Sequence, residues 1–346
     1  MDIDWENREK ELVELLNKYR RNDGHYDCLV PGSGGKDSAY QAHILKYKYG
    51  MNPLTCTWPP ILYTDYGYKN FDNWIKIGGF DNISFNQNGR VMKLLTKLSI
   101  ENLFHPFQTF ILGQKNLAPK LAAKFGINLV FYGENEAEYG NPIADNSSSL
   151  RDKSYYSMEN LDDMYLAGIP IQKIIDKYKI SLVDLMQFLP ISSKELSGSN
   201  IEIHYLGYYL KWIPQEAYYY AVDKTGFQAR PFRTQGTYSK YNSIDDKIDD
   251  LHYYTTFIKF GIGRATYDAS QEIRNKHLTR EEGQLLVNRF DGEFPDKYFN
   301  EIMNYIEMDP DYFHELADKF RSPHLWKKDN NLWKLRHNVN STGIDD

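Results

Sequence analysis

The stretch from Cys28 to Tyr40, CLVPGSGGKDSAY, constrains this chain more than any other part of it. An apolar run ends in a Pro-Gly break, a loop of small residues follows, and Ala39, Ala42, Ile44 and Leu45 then recur at helical spacing. Gly32, Gly34 and Gly35 let backbone amides approach an anion without a Cβ in the way. The amino end of the following helix adds roughly half a positive charge at the same point. Two common phosphate loops do not fit. A Walker A loop needs glycine at Val30 and Ser or Thr at Asp37. A dinucleotide fingerprint started at Gly32 needs glycine at Asp37.

Downstream, short apolar runs alternate with helical patterns: YDCLVP, PLTCTW, NISFN and INLVFYG, with helical stretches between them. This alternation predicts an α/β fold, a parallel sheet with helices on both faces, followed by a mostly helical C-terminal part. An N-terminal helix over 1–25 carries Leu12, Leu15, Leu16 and Tyr19 on one stripe. One α/β domain is expected over 26–240, with an insertion or lid near 141–200, where the texture turns polar. A strand is expected in IEIHYLGYYLKW and a helix from Pro214. Helices should fill 241–325, with Thr279 and Glu282 forming a capping box, and 326–346 reads as a loosely ordered polar tail.

With 41% apolar and 25% charged residues, a mean hydropathy of −0.62 and no apolar run near membrane-spanning length, the sequence predicts a soluble protein. The opening MDIDWENREK has neither a secretory nor a transit pattern, so a cytoplasmic location is expected. Cys28 and Cys56 sit in apolar runs and read as reduced core thiols. A net charge of −6 gives no general attraction to phosphate backbones and argues against nucleic acid as the partner. The tyrosine cluster at 218–220 is assigned no chemistry.

Ser33-Gly34-Gly35-Lys36-Asp37-Ser38 resembles the SGGxDS signature of the PP-loop ATP pyrophosphatases. Further stretches resemble the N-acetyl sugar amidotransferase family, in particular its branch in pseudaminic acid biosynthesis. They are HPFQTFILGQKNLAPKLA from His105, FYGENEAEYGN from Phe131, GTYSKYNSIDDKID from Gly236 and FIKFGIGRATYDASQEIR from Phe257. The resemblance implies an ATP- and Mg²⁺-dependent enzyme that places AMP on the acetamido oxygen of an N-acetylated sugar acid, free or nucleotide-linked. Ammonia then displaces AMP to leave an acetamidino group.

On that resemblance Gly32, Ser33, Gly34, Gly35, Lys36, Ser38 and Gly133 hold ATP, and Lys36, Asp37 and Lys259 are the catalytic candidates, with Asp37 also holding Mg²⁺. Glu134, Asn135 and Glu138 are substrate candidates because Gly133 ends an expected strand and loops beyond strand ends form the crevice of such sheets, and Arg264 is another because it flanks Gly261 and Gly263, where a cation can approach a sugar carboxylate. Arg233 and Lys240 are lesser ones. Neither cysteine sits at an exposed turn beside a histidine, so a separate glutaminase subunit is expected to supply ammonia. The family's four-cysteine zinc segment has no counterpart in this sequence, and no zinc is expected. Two alternatives stay open: a tRNA-modifying adenylating enzyme using the same loop, and a non-catalytic ATP-binding protein.

Overall fold

The computed structural model describes residues 3–133 and 148–340. Its centre is a five-stranded parallel sheet in the order β3-β2-β1-β4-β9. The strands are β1 (Cys28–Pro31), β2 (Pro53–Thr57), β3 (Asn82–Ser84), β4 (Leu129–Tyr132) and β9 (Glu202–Tyr205). The four between β4 and β9 are two-residue pieces of the inserted region: β5 (Ser157–Met158), β6 (Tyr165–Leu166), β7 (Ile169–Pro170) and β8 (Ile191–Ser192).

Alternation along the strands sends their apolar side chains to two separate cores. Cys28, Val30, Leu129 and Phe131 face one core with Leu12 and Leu16 of α1 (Trp5–Tyr19) and Ala39 and Ala42 of α2 (Lys36–His43). Trp74 of α3 (Asp65–Lys76) joins the same core. Leu29, Leu54, Cys56 and Val130 face the other, against Leu95 of α4 (Gly89–Leu103) and Leu117, Ala118 and Ala122 of α5 (Gln108–Phe125). Burial on both faces explains why the strands read as continuous apolar runs. Both cysteines are buried and free, and burial pushes both thiols up.

The insertion closes the second core. Its helices α6 (Ile171–Tyr178), α7 (Leu182–Met186) and α8 (Ser193–Ser197) contribute Ile174, Leu185 and Leu196, and Phe188 packs edge-on against Trp58 at 5.2 Å. The run from Ile201 is a strand only as far as Tyr205. The chain then turns through α9 (Leu206–Tyr209) before α10 (Pro214–Thr225) begins at the expected proline.

The C-terminal part is helical: α11 (Asp249–Phe260), α12 (Arg264–Arg274), α13 (Arg280–Phe290), α14 (Asp296–Ile306) and α15 (Pro310–Phe320). Thr279 and Glu282 form the expected capping box on α13. A third core joins Leu251 and Ile258 to Ile302, Phe313 and Leu316, and to Ile100 of α4 and its C-cap Phe104. The expectation of a loose tail is corrected. β10 (Trp326–Asp329) and β11 (Leu332–Leu335) form an antiparallel hairpin, with Trp326 buried in that third core and donating to the Ile258 carbonyl at 2.8 Å. No helix among the described residues is long and apolar enough to cross a membrane.

Candidate functional site

The strand order fixes where a ligand can enter. From β1 the chain builds β2 and β3 on one side, then crosses to place β4 and β9 on the other. The carboxyl ends of β1 and β4 therefore flank the point where the winding direction switches, which leaves a crevice there. A cavity of about 680 Å³ opens at that point, within the range of small-molecule sites. The loop after β1 and Gly133 after β4 both line it.

The three loop glycines do different work. A Cβ on Gly32 would lie 2.3 Å from the Ser38 Cβ, and Gly34, with φ of +88°, would bring its Cβ within 2.5 Å of the Phe71 Cα. Both are needed to fold the loop against its own helix and α3. Gly35 is different. It is the N-cap of α2 with φ of −64°, and a Cβ there would meet nothing nearer than an Asp245 carboxylate oxygen at 3.4 Å. Packing does not require glycine at Gly35; the bare position leaves the helix amino end open to the cavity.

The loop's polar side chains are already engaged. The Ser38 hydroxyl donates to the Gly35 carbonyl at 2.9 Å and accepts from the Gly34 amide at 3.1 Å, so it shapes the loop. The Ser33 hydroxyl donates to Asp245 at 2.5 Å. Lys36 is only 5% exposed, which sets it apart from a solvated surface lysine. Its Nζ lies 2.6 Å from one oxygen of Asp37, whose other oxygen accepts from Trp212 Nε1 at 3.2 Å. Lys36 and Asp37 thus hold each other at the mouth of the cavity.

Gly133 is held where a Cβ would approach Gln41 at 3.0 Å and the Trp212 ring at 3.2 Å, and its carbonyl accepts from the Gly207 amide. Glu134, Asn135 and Glu138 lie outside the described residues. Arg264 reaches the cavity from the first turn of α12. Its Nε pairs with Asp268 at 2.9 Å and its Nη1 donates to the Tyr253 hydroxyl at 3.2 Å. Lys259 does not reach the cavity wall, unlike Arg264. Gly261 ends α11 in the left-handed conformation and turns the chain, so Arg264 starts its helix on the cavity side. Lys259 is half-buried in the last turn of α11 beside Phe260, and burial lowers its pKa. Arg233 pairs with Glu293 instead.

The segment from Tyr241 to Thr256 forms a wall of the cavity that no residue assignment from sequence anticipated. Asp245 supports the loop after β1 through Ser33, and Asp246 accepts the backbone amides of Ile61, Leu62 and Ile248. Burial raises these carboxyls: Asp245 to about 6, against the Ser33 hydrogen bond, and Asp246 to about 7, against its three amide donors. Asp249, which also lines the cavity, is raised well above its ordinary value by burial and by its acidic neighbours. The run SIDDKIDD was the available signal, but an acidic run in sequence reads first as a solvated face. Among the described residues no group of three or more His, Cys, Asp or Glu side chains is arranged to hold a metal. Magnesium carried by a nucleotide needs only one or two carboxylates besides phosphate oxygens, and Asp37 beside the loop fits that role.

Residues 235–340 match the family described as LPS biosynthesis protein WbpG-like, C-terminal domain. The match begins just before the cavity wall at 241–256 and runs through the hairpin. MJ1599, an uncharacterized protein of Methanocaldococcus jannaschii, is 40% identical over 50 residues, which is 14% of this chain and 18% of that relative's length. Among solved structures, the NH3-dependent NAD synthetase of Campylobacter jejuni overlaps 40% of this chain and 59% of its own, at 16% identity and a TM-score of 0.31. The NMN synthetase of Francisella tularensis overlaps 66% and 90%, at 14% identity and a TM-score of 0.30. The U34-tRNA thiolase NcsA of Methanococcus maripaludis overlaps 79% and 81%, at 14% identity and a TM-score of 0.32. Overlaps at these scores decide nothing about activity.

Proposed function

We propose that this chain is an ATP-dependent amidotransferase that activates the acetamido oxygen of an N-acetylated sugar acid with AMP and lets ammonia replace it. The observation that carries the reading is Gly35. It is a glycine that packing does not need, at a helix amino end opening on a cavity, with a buried lysine as the next residue. A loop so built suits a phosphate chain. The match of 235–340 to a family named for lipopolysaccharide biosynthesis supports a sugar as the acceptor.

The chemistry follows from charge. An amide carbon is a poor electrophile because nitrogen donates into the carbonyl, and the same donation makes the oxygen the atom that attacks phosphorus. Attack of that oxygen on the α-phosphorus forms a C–O–P link and breaks the bond to pyrophosphate. Lys36 would exchange Asp37 for the developing phosphate charge, freeing the carboxylate to hold Mg²⁺. Removing one well-placed charge donor of this kind costs about 10²–10³ in rate. Arg264, held by Asp268 in the cavity wall, would face the sugar's carboxylate. Ammonia would come from a separate glutaminase subunit.

The test is incubation with ATP, Mg²⁺, ammonium chloride and N-acetylated nonulosonic acids, following nucleotides and sugar mass together. AMP and pyrophosphate are expected together with replacement of one oxygen by NH on the sugar. ADP, or no turnover with any acetamido sugar, would overturn the reading.

A further inference from the structure

We infer that Trp212 is a positioning residue for magnesium: its indole N–H holds one oxygen of Asp37, so that the other oxygen is presented to the metal when Lys36 leaves it for phosphate. The inference rests on the ATP-dependent reading above and names what aims the carboxylate. An aspartate ends in a carboxylate that turns easily, whereas Mg²⁺ demands near-ideal octahedral geometry from the one or two carboxylates it takes. Once Lys36 has moved to the phosphate chain, another group must fix the direction of the oxygen it releases.

The hydrogen bonds of Asp37 supply that group. Lys36 takes Oδ2 at 2.6 Å and Trp212 Nε1 donates to Oδ1 at 3.2 Å, so the two partners hold different oxygens of one carboxylate. Exchange of Lys36 for the metal leaves the second contact in place. Trp212 is 9% exposed and lies behind the cavity wall, so it acts through Asp37 and not on the ligand. Its ring is fixed from two sides. Tyr40 meets it edge-on at 5.1 Å between centroids, and on the other side it closes on Gly133, where a Cβ would come within 3.2 Å of it.

The path of the chain delivers Trp212 to this point. β9 stops at Tyr205, and the turn of α9 is tied down twice: the Gly207 amide donates to the Gly133 carbonyl at 2.8 Å, and Arg8 of α1 donates to the Tyr208 carbonyl at 2.7 Å. Trp212 thereby comes to lie between Gly133, after β4, and Asp37, after β1. Packing alone does not account for its hydrogen bond. Trp58 and Trp74, buried in the two cores of the sheet, have no partner for Nε1 among the described residues, so this fold tolerates an indole kept only for its ring. Trp212 instead directs its N–H at the carboxylate beside the glycine loop.

The experiment titrates metal in the full chain and does not depend on turnover. An ATP analogue with a methylene bridge between its α and β phosphates is bound in a calorimeter, first with Mg²⁺ withheld and then with Mg²⁺ added stepwise. Trp212→Phe is expected to keep the metal-free affinity within about 3-fold of wild type, while the Mg²⁺ needed for half of the metal-dependent gain rises by about 10-fold, the lower end of the usual cost of losing a residue that orients a metal ligand. Asp37→Asn should lose the gain, and adding Trp212→Phe to it should change nothing further. In the isotope-labelled wild-type chain the Trp212 indole N–H resonance should move when Mg²⁺ joins the analogue complex and stay still in Asp37→Asn, a readout independent of how the Phe variant folds. The inference is overturned by an unchanged metal requirement in Trp212→Phe, by equal losses of metal-free and metal-dependent binding, by a wild-type indole resonance indifferent to Mg²⁺, or by wild-type binding that gains nothing from the metal. Failure of the wild-type chain to bind the analogue at all would instead overturn the ATP reading beneath it.

Discussion

Alanine at Gly34 and at Gly35 should have opposite consequences, although the two residues are adjacent in one loop. At Gly34 the backbone has φ of +88° and the new Cβ would stand 2.5 Å from Phe71 Cα and 2.7 Å from its amide nitrogen, atoms of a helix that cannot move alone. The left-handed conformation costs about 1–2 kcal/mol and the backbone clash adds at least as much, so a loss of roughly 3 kcal/mol is expected. For a chain of this length, that lowers Tm by about 4 °C. At Gly35 the conformation suits alanine and the nearest atom is a side-chain oxygen at 3.4 Å. The cost is that of a poorer N-cap, about 0.5–1 kcal/mol. The methyl group would instead occupy the open end of α2 and weaken ATP binding at least 10-fold, or about 1.4 kcal/mol. Calorimetric melting and titration with a non-hydrolysable ATP analogue read both quantities. A Gly35→Ala protein that binds the analogue as wild type does would refute the assignment of the loop as a phosphate cradle. A Gly34→Ala protein as stable as wild type would refute the packing account.

Lys36→Ala should lower AMP formation by about 10²–10³-fold while the far-UV spectrum stays native, because the lysine's charge serves the reaction more than the core. Asp245 has its pKa raised from 3.8 to about 6, so folding is linked to proton binding: the contribution is fully present below about pH 4 and lost as pH rises through 6. Asp245→Asn keeps an acceptor for Ser33 but cannot titrate, so the stability of the variant relative to wild type should rise by roughly 2 kcal/mol between pH 4 and pH 7. An unchanged difference between the two proteins in urea melts across that range would contradict the burial of this carboxyl. Trp326→Ala should cost about 3–5 kcal/mol and expose the C-terminal hairpin to limited proteolysis; a variant as resistant as wild type would show that the hairpin does not anchor the third core.

What could be read from the sequence was local. The strand, loop and helix from Cys28 to Tyr40, the proline opening α10 and the capping box at Thr279 each depend on residues a few positions apart, so the chain displays them directly. The hairpin at 326–335 was also local but hidden by its charge. Lys327 and Lys328 follow the buried Trp326, and the turn is made by Asn330 and Asn331, at φ of 48° and 62°. Two asparagines with positive φ are what a two-residue hairpin turn requires. The polar composition that suggested a loose tail was the signature of an exposed hairpin. The strand expected through IEIHYLGYYLKW ends at Tyr205 because β9 pairs only along the four residues of β4.

The cavity wall at 241–256 was not legible, because its meaning depends on a partner far away in the chain. Gly67 carries the missing half. It lies in the first turn of α3, where glycine is a poor choice on helix propensity, and alanine there should stabilise an isolated helix by up to about 1 kcal/mol. In the folded protein a Cβ on Gly67 would lie 2.5 Å from the Asp245 carbonyl oxygen and 2.6 Å from its Cα. The glycine exists to admit the segment that brings Asp245 to Ser33. The two arguments give Gly67→Ala opposite signs, which makes the variant decisive. Displacing Asp245 by even an ångström would break its 2.5 Å contact with Ser33 and loosen the loop that Gly34 and Ser38 shape. The expected outcome is a less stable protein, by roughly 2–3 kcal/mol, whose affinity for ATP falls as well. A more stable Gly67→Ala protein with unchanged nucleotide binding would mean that the 241–256 segment does not close on the loop after β1.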